Sequence, residues 1–168
     1  MTRIATNTLA FGATLAALAF AAALSAAPAH AADEFNTVPG LTKAGAPLGL
    51  HGVDPVAFID LGNRIEGSSQ YIAVHDGVAY YFATEANLKS FEASPARYAP
   101  ENGGFCTYGV SVGKKFDGDP RYAAVVDGKL YLFLNEDVLR AFQADVDGTI
   151  ERAAVNWTAI RSVAATEL

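Results

Sequence analysis

Two stretches of this chain repeat each other at a constant spacing of 51 residues. Residues 74–82 read VHDGVAYYF, and residues 125–133 read VVDGKLYLF. Three further pairs keep the same spacing: Glu85 and Glu136, Leu88 and Leu139, and Phe91 and Phe142. Identities at one fixed offset predict a duplicated unit. Because two copies are too few for a solenoid, we expect one pseudo-symmetric domain.

Each copy has the signals of a β-hairpin followed by a helix. Residues 76–77 and 127–128 are both Asp-Gly, a pair that favours the two-residue type I′ turn between strands. Thr84 and Asn135 then have side chains that cap helix N-termini. In each copy a leucine and a phenylalanine three residues apart share one helix face, so they are predicted to pack onto the hairpin as core. The predicted fold class is therefore α+β, with two hairpin-plus-helix units side by side in one sheet.

The first 31 residues differ in composition from the rest of the chain. Arg3 lies near the amino end, residues 9–24 are almost entirely Ala, Leu and Phe, and Ala-His-Ala follows at 29–31. These three regions are typical of a secretory signal peptide. A membrane anchor is the alternative, but a span needs about 20 apolar residues. We expect cleavage before Ala32, a periplasmic protein, and no stable membrane insertion afterwards.

The remaining residues divide into three parts. Residues 32–49 contain several Gly and Pro residues and are predicted to form a flexible lead-in, residues 50–160 the folded domain, and residues 161–168 a C-terminal tail. Inside the domain we expect three further elements: a short strand at 56–61, a short helix at 95–98 and a last helix at 148–157.

Charge and cysteine content restrict the possible partners. The chain has 12 Lys and Arg against 18 Asp and Glu, a formal net charge of −6. This balance argues against nucleic acid, whose phosphates are bound by clustered Lys and Arg. The single cysteine, Cys106, excludes an internal disulfide and a Cys-x-x-Cys redox pair. We therefore expect the partner to be a metal ion or a small molecule; the oligomeric state is not predicted.

Four short motifs follow one another over residues 51–157. They are His51-Gly52-Val53-Asp54-Pro55, Asp76-Gly77 with Tyr80-Tyr81-Phe82, Ser94-Pro95 with Tyr98, and Gly103-Gly104-Phe105-Cys106. In this order the motifs resemble the YHS domain family. The resemblance is greatest to its secreted bacterial branch, the YHS domain-containing (seleno)proteins.

The chain departs from this family at the metal-binding positions. The family's metal-binding pattern has cysteines where this chain has Ala57, Ala83 and Asn87. Alanine has no donor atom, and an amide is a poor ligand for a soft metal ion. The resemblance therefore implies no metal site at these three positions.

Cys106 is the residue at which the resemblance implies chemistry. In some relatives the matching residue resembles selenocysteine, which implies redox chemistry or soft-metal ligation. The residues leave two interpretations open. If residues 105–112 form a helix that ends at Gly113, the thiol lies in the first turn and its pKa is lowered. If they form a strand, the thiol shares a buried face with Tyr108 and is inert. We favour the helix.

His51 is the candidate partner of Cys106, because one thiolate and one imidazole would form an open site that suits Cu(I). His75 is expected to be solvated at the surface. Asp54 is expected to form the Asx turn before its proline. Residues 117–119 are expected to form a turn, since the other ligands of a calcium loop are missing.

Three functions remain open at this point. The first is a periplasmic accessory protein that binds a soft metal ion, in particular Cu(I), or acts in thiol redox through Cys106, with His51 as a second metal ligand. The second is an enzyme that reduces a peroxide through a sulfenic acid at Cys106. The third is a non-catalytic module that binds a small ligand or a protein in a tyrosine-rich groove between the repeats, with Cys106 buried and structural. A non-enzymatic role is favoured over catalysis.

Overall fold

The computed structural model describes residues 32–168. The predicted signal peptide, residues 1–31, lies outside the described residues. Within residues 32–168, no helix combines the length and the apolar character needed to cross a membrane.

The described residues alternate short strands and helices, which confirms the α+β class. The strands are β1 (Thr37–Val38), β2 (Leu48–Gly49), β3 (Ser68–His75), β4 (Val78–Phe82), β5 (Asp119–Val126) and β6 (Lys129–Phe133). The helices are α1 (Pro55–Leu61), α2 (Glu85–Ala93), α3 (Pro95–Tyr98), α4 (Thr107–Ser111), α5 (Glu136–Gln143) and α6 (Val146–Ile160).

The two hairpin-plus-helix units have matching local structures. β5 and β6 begin and end 51 residues after β3 and β4, and both hairpins have a register shift at the corresponding point. Asp76 and Asp127 have φ of 49° and 51°, and the glycines that follow them are also at positive φ. Positive φ at both central residues is what a type I′ turn requires. The local structure therefore recurs as the repeat predicts, while a common origin of the two units stays a prediction.

The predicted helix caps are confirmed. The side chain of Thr84 accepts a hydrogen bond from the Asn87 amide at 3.1 Å, and that of Asn135 accepts one from the Val138 amide at 3.0 Å. Each cap satisfies one of the N–H groups that a helix leaves unpaired at its first turn.

The two hairpins do not share a sheet, contrary to our expectation. One sheet has the order β1-β2-β4-β3, and the other contains only β5 and β6. The outer edge of β4 is paired with β2, and β6 forms an isolated parallel bridge between Leu132 and Cys106. Since other parts of the chain cover these strands, the hairpins meet through side chains. One core cluster joins both hairpins: Tyr80, Phe82 and Phe91 from the first unit with Leu130 and Leu132 from the second.

Residues 32–49 are built into the domain, which differs from the predicted flexible lead-in. β1 pairs with β2, and β2 with β4. The side-chain amide of Asn36 donates to the Gly104 carbonyl at 3.0 Å and to Asp117 at 2.8 Å. Gly40 and Gly45 have φ of 99° and 76°, so these glycines serve turns between short strands.

Residues 56–61 form part of helix α1, so the strand predicted there is wrong. Asp54 caps the helix, Pro55 is its first residue, and Gly62 ends it at φ 65°. A proline at the first position and a glycine just past the end are typical of a helix. The apolar run was misassigned because a short buried helix and a short buried strand have the same composition.

A buried lysine connects the two ends of the described chain. The Lys115 side chain is 0% exposed, and its ammonium group donates to Glu34 at 2.9 Å. It also donates to the carbonyl oxygens of Arg161 at 3.0 Å and Val163 at 2.6 Å. The same Glu34 oxygen accepts from the Ala165 amide at 2.8 Å. The segment before β1 and the C-terminal tail are therefore held together on the loop after α4.

We expect Phe91→Ala and Phe142→Ala each to lower the free energy of unfolding by about 3–5 kcal/mol. Both rings are 1% exposed, and each contacts the last phenylalanine of its own hairpin at 5.0 and 4.5 Å between centroids. Urea unfolding measures the change. Val155→Ala, at a side chain that is 66% exposed, is the control and should change stability by less than about 0.5 kcal/mol. Near-neutral values for both phenylalanines would contradict their assignment as core anchors.

Candidate functional site

Cys106 is the N-cap of α4, and its thiol is buried. The sulfur accepts a hydrogen bond from the Gly109 amide at 3.5 Å, and the residue is only 1% exposed. The helical interpretation is confirmed over residues 107–111, although the cysteine precedes the helix instead of lying in its first turn. Burial, which we expected only of a strand, accompanies the helix because the Cys106 backbone also bridges to β6.

Burial raises the pKa of the Cys106 thiol. Amide groups of Gly109, Leu134 and Tyr108 face the sulfur and act in the opposite direction, and the negative charge of Asp117 adds to the rise. The expectation of a lowered pKa is therefore wrong. Desolvation disfavours the thiolate more than these amides stabilise it, so the neutral thiol is the favoured form.

Asp54 is a fully buried carboxylate that four N–H donors surround. One oxygen accepts from the amides of Val56 at 2.8 Å and Ala57 at 3.1 Å. The other accepts from the Ala83 amide at 2.8 Å and from the Asn87 side chain at 2.6 Å. The role predicted for Asp54, holding the turn before its proline, is confirmed, and its carboxylate also connects α1 to the end of β4 and the start of α2.

The three positions that depart from the family's metal-binding pattern converge on this carboxylate. Ala57, Ala83 and Asn87 each contribute one N–H group to Asp54. Where the family's pattern has thiolates, this chain therefore has the Asp54 carboxylate and the N–H groups that donate to it. Residues 32–168 contain no group of three or more His, Cys, Asp or Glu side chains placed to hold a metal ion.

Cys106 has in the second unit the place that Asp54 has in the first. Asp54 caps α1 and binds the amide of Ala83, which follows β4. Cys106 caps α4 and faces the amide of Leu134, which follows β6 and lies 51 residues after Ala83. The thiol therefore accepts a hydrogen bond at a buried position.

His51, the predicted partner of Cys106, is hydrogen-bonded elsewhere. Its Nε2 lies 3.1 Å from a carboxylate oxygen of Asp117, and its side chain is 35% exposed. Within the described part of the chain, no hydrogen bond joins this imidazole to the thiol. The two residues named for a Cu(I) site each have a different hydrogen-bond partner, Asp117 for His51 and the Gly109 amide for Cys106.

An open cleft lies between the turn of the first hairpin and α6. It has a volume of about 260 Å³ and continues into a second lobe of about 670 Å³ that shares Asp33, Phe35 and Asp76 with it. Aromatic and polar side chains line the first lobe together: Phe35, His75, Asp76, Tyr80, Asn102 and Trp157. Sequence reasoning missed this cleft because it treated the segment of Phe35 as a flexible lead-in and did not predict that this segment would meet α6.

Tyr80 is the most buried polar side chain in the wall of this cleft. The residue is 4% exposed, and its hydroxyl makes no hydrogen bond to any residue of the described chain. Every fully buried side-chain oxygen or nitrogen in that part has a partner, so the Tyr80 hydroxyl must reach the surface, at the cleft that its side chain lines. Tyr98, by contrast, donates its hydroxyl to Asp60 at 2.9 Å.

The Tyr80 phenol is held in its neutral form. Burial raises the pKa of Tyr80, and the nearby negative charge of Asp76 raises it further. A neutral phenol both donates and accepts hydrogen bonds. The cleft therefore has one largely buried tyrosine whose hydroxyl is available to a ligand.

His75 forms part of the cleft wall, although we expected it to be solvated. Its side chain is 28% exposed, lies edge-on to Phe91 with ring centroids 6.2 Å apart, and has Nε2 3.4 Å from an Asp76 oxygen. We also expected a groove lined by several tyrosines, but among the described residues Tyr80 is the only tyrosine that lines this lobe.

Comparison with known proteins returns no match: no family model, no curated protein and no solved structure matches the chain. The resemblance to the YHS domain family is carried by the motifs alone and stays a prediction.

Native Cys106 should react with iodoacetamide far more slowly than the same thiol in guanidinium chloride. The reason is that the sulfur is buried and its raised pKa leaves less thiolate for the reaction. Mass spectrometry of both samples, at about the pH of half-ionisation of free cysteine, measures the ratio. Equal rates would contradict the buried position of the thiol.

The same raised pKa predicts a loss of stability in alkali. A thiol whose pKa is higher in the folded than in the unfolded protein contributes fully below the unfolded value of about 8.5, and this contribution is lost as pH rises through the folded value. Above about pH 8.5 the wild type should therefore lose stability relative to Cys106→Ser, with a limiting slope of about 1.4 kcal/mol per pH unit. Parallel curves of stability against pH for the two proteins would contradict this prediction.

Proposed function

We propose that the protein is a non-catalytic module that binds a small organic ligand in the cleft between the first hairpin and α6. One observation carries this proposal. Tyr80 is 4% exposed, and its hydroxyl has no partner among residues 32–168. The hydroxyl reaches the surface at the cleft that the side chain lines, so a ligand bound there can form a hydrogen bond with it.

The lining of the cleft supports the same function. Small-molecule sites are concave, largely apolar, and contain a few polar groups that orient the ligand. Here the rings of Phe35, Tyr80 and Trp157 line an open space of about 260 Å³, with His75 and Asn102 as polar neighbours. The two lobes together are large enough for a ligand of the usual size, since such sites span about 300–1,000 Å³.

The position of Cys106 also favours a binding module over thiol chemistry. The residue is 1% exposed, burial raises the pKa of its thiol, and the sulfur caps α4. A catalytic or sensor thiol is accessible and has a lowered pKa. This cysteine has neither property.

Titration with benzyl alcohol tests the proposal. Trp157 is the only tryptophan and lines the cleft, so its fluorescence reports on binding there. We expect a dissociation constant of about 1 mM, because the probe is a small fragment. Tyr80→Phe should weaken binding by about 10-fold, since it removes the hydroxyl that would form a hydrogen bond with the probe.

Tyr131→Phe is the matched control for this experiment. Tyr131 occupies the equivalent place in the second repeat, is also 4% exposed, and lies outside the cleft. It should bind benzyl alcohol as the wild type does. No change of Trp157 fluorescence or of the amide resonances around the cleft, or equal binding by Tyr80→Phe and wild type, would reject the proposal.

A second candidate is a periplasmic accessory protein that binds a soft metal ion, Cu(I), through Cys106. The observation that favours it is the set of three backbone amides facing the sulfur, which would stabilise a thiolate. The residues do not fit a preassembled metal site, because His51 is bonded to Asp117 and the thiol is buried. Binding therefore requires local opening around α4. Thiol redox at the same residue needs a reaction partner that no residue identifies, so it stays a prediction.

Anaerobic titration with Cu(I) separates the second candidate from the first. If Cys106 is a ligand, wild type should bind one Cu(I) that Cys106→Ser does not bind, and His51→Ala should bind it more weakly. Equal affinity of wild type and Cys106→Ser would reject metal binding at this residue. Benzyl alcohol binding should be the same in all three proteins, since none of these substitutions lies in the cleft lining.

A further inference from the structure

We infer that the ligand of the cleft is an organic cation, a small amine with an aromatic or other apolar body. This inference rests on the proposed function and adds the chemical class of the ligand. It is carried by the juxtaposition of acidic side chains, three aromatic rings and the Tyr80 hydroxyl in one lobe.

The charged groups of this lobe are predominantly negative. Asp33, Asp76 and Glu101 line it, and no lysine or arginine does so among the described residues. Arg161 lines only the larger lobe and is bonded to Asp33 at 2.9 Å, and Lys129 lies 3.3 Å from Glu101. Arg161 and Lys129 therefore offset the charges of Asp33 and Glu101, and Asp76 is the carboxylate of this lobe that has no lysine or arginine partner in the described residues.

Asp76 is the carboxylate most available to a ligand. Its side chain is 67% exposed, and its ion-pair neighbour in the described chain is His75, whose Nε2 is 3.4 Å away. No lysine or arginine in the described residues forms a salt bridge with it. The type I′ turn holds Asp76 at φ 49°, and Asp76 lines both lobes. An ammonium group can therefore pair with Asp76 without displacing another cation.

The Tyr80 hydroxyl gives the independent indication of a ligand at the same place. Its oxygen can accept a hydrogen bond from an ammonium N–H group. Asp76 and Tyr80 both line this lobe. A cationic donor therefore satisfies both groups at once, whereas an anion would be repelled by Asp76.

The aromatic rings of the cleft suit the same class of ligand. Cations bind favourably over the faces of Trp, Tyr and Phe rings. Trp157 already has one such contact, since the buried ammonium of Lys115 lies 5.4 Å from its ring centroid. That charge is paired with Glu34 at 2.9 Å, so it does not make the cleft positive.

Three probes with the same phenyl ring test the inference: benzylammonium, benzyl alcohol and benzoate. We expect wild type to bind benzylammonium about 10-fold more tightly than benzyl alcohol, and benzoate most weakly. Asp76→Asn should reduce the affinity for benzylammonium to that for benzyl alcohol and leave benzyl alcohol unchanged. Raising the ionic strength should weaken benzylammonium alone, because salt screens an exposed ion pair.

Asp127→Asn is the matched control variant. Asp127 has the same place in the turn of the second hairpin, at φ 51°, and lies outside the cleft lining. Asparagine tolerates the left-handed conformation, so both variants keep their turns. Asp127→Asn should retain the preference for benzylammonium.

Two results would overturn the inference in distinguishable ways. If benzyl alcohol binds at the cleft and benzylammonium binds no more tightly, the ligand class is wrong while the proposed function stands. If none of the three probes changes Trp157 fluorescence or the amide resonances of the cleft, the proposed function and the inference both fail.

Discussion

The buried ammonium group of Lys115 holds together the parts of the chain that form the cleft. It donates to Glu34, close to the first described residue, and to two carbonyl oxygens at the end of α6 and beyond. A charge this deeply buried is tolerated because each of its three N–H groups has an oxygen partner. Phe35 follows Glu34 directly, and Trp157 lies one helical turn before Arg161. The two aromatic walls of the cleft are therefore positioned by one lysine.

The two repeats use one architecture for different chemistry. In the first unit a carboxylate, Asp54, caps the helix before the hairpin and is surrounded by four N–H donors. In the second unit Cys106 has the corresponding place, with amides around a sulfur. A carboxylate is stable there because a side-chain amide, Asn87, adds a fourth donor. Without such a donor, a neutral acceptor such as a thiol is the less costly group to bury.

The asymmetry between the units also decides where a ligand can bind. Tyr80 and Tyr131 are equivalent in the repeat and equally buried. The surroundings differ, because the chain before β1 and α6 meet near the turn of the first hairpin and line an open lobe with three rings. The cleft beside Tyr131 is lined mainly by its own hairpin and by the start of α6. Ligand binding in the first cleft thus depends on the parts of the chain outside the repeat.

Local features of the fold follow from the sequence by itself. The Asp-Gly pairs determine both hairpin turns, because such residues adopt a positive φ with little strain. Thr84 and Asn135 determine where α2 and α5 begin. Only the tertiary structure decided that the hairpins lie in separate sheets, that residues 32–49 join one of them, and that Cys106 is buried. Each of these depends on contacts between residues far apart in sequence, such as Lys115 with Glu34 and Cys106 with Leu132. Local sequence patterns do not indicate which distant segment will pair with a strand edge or pack on a helix face.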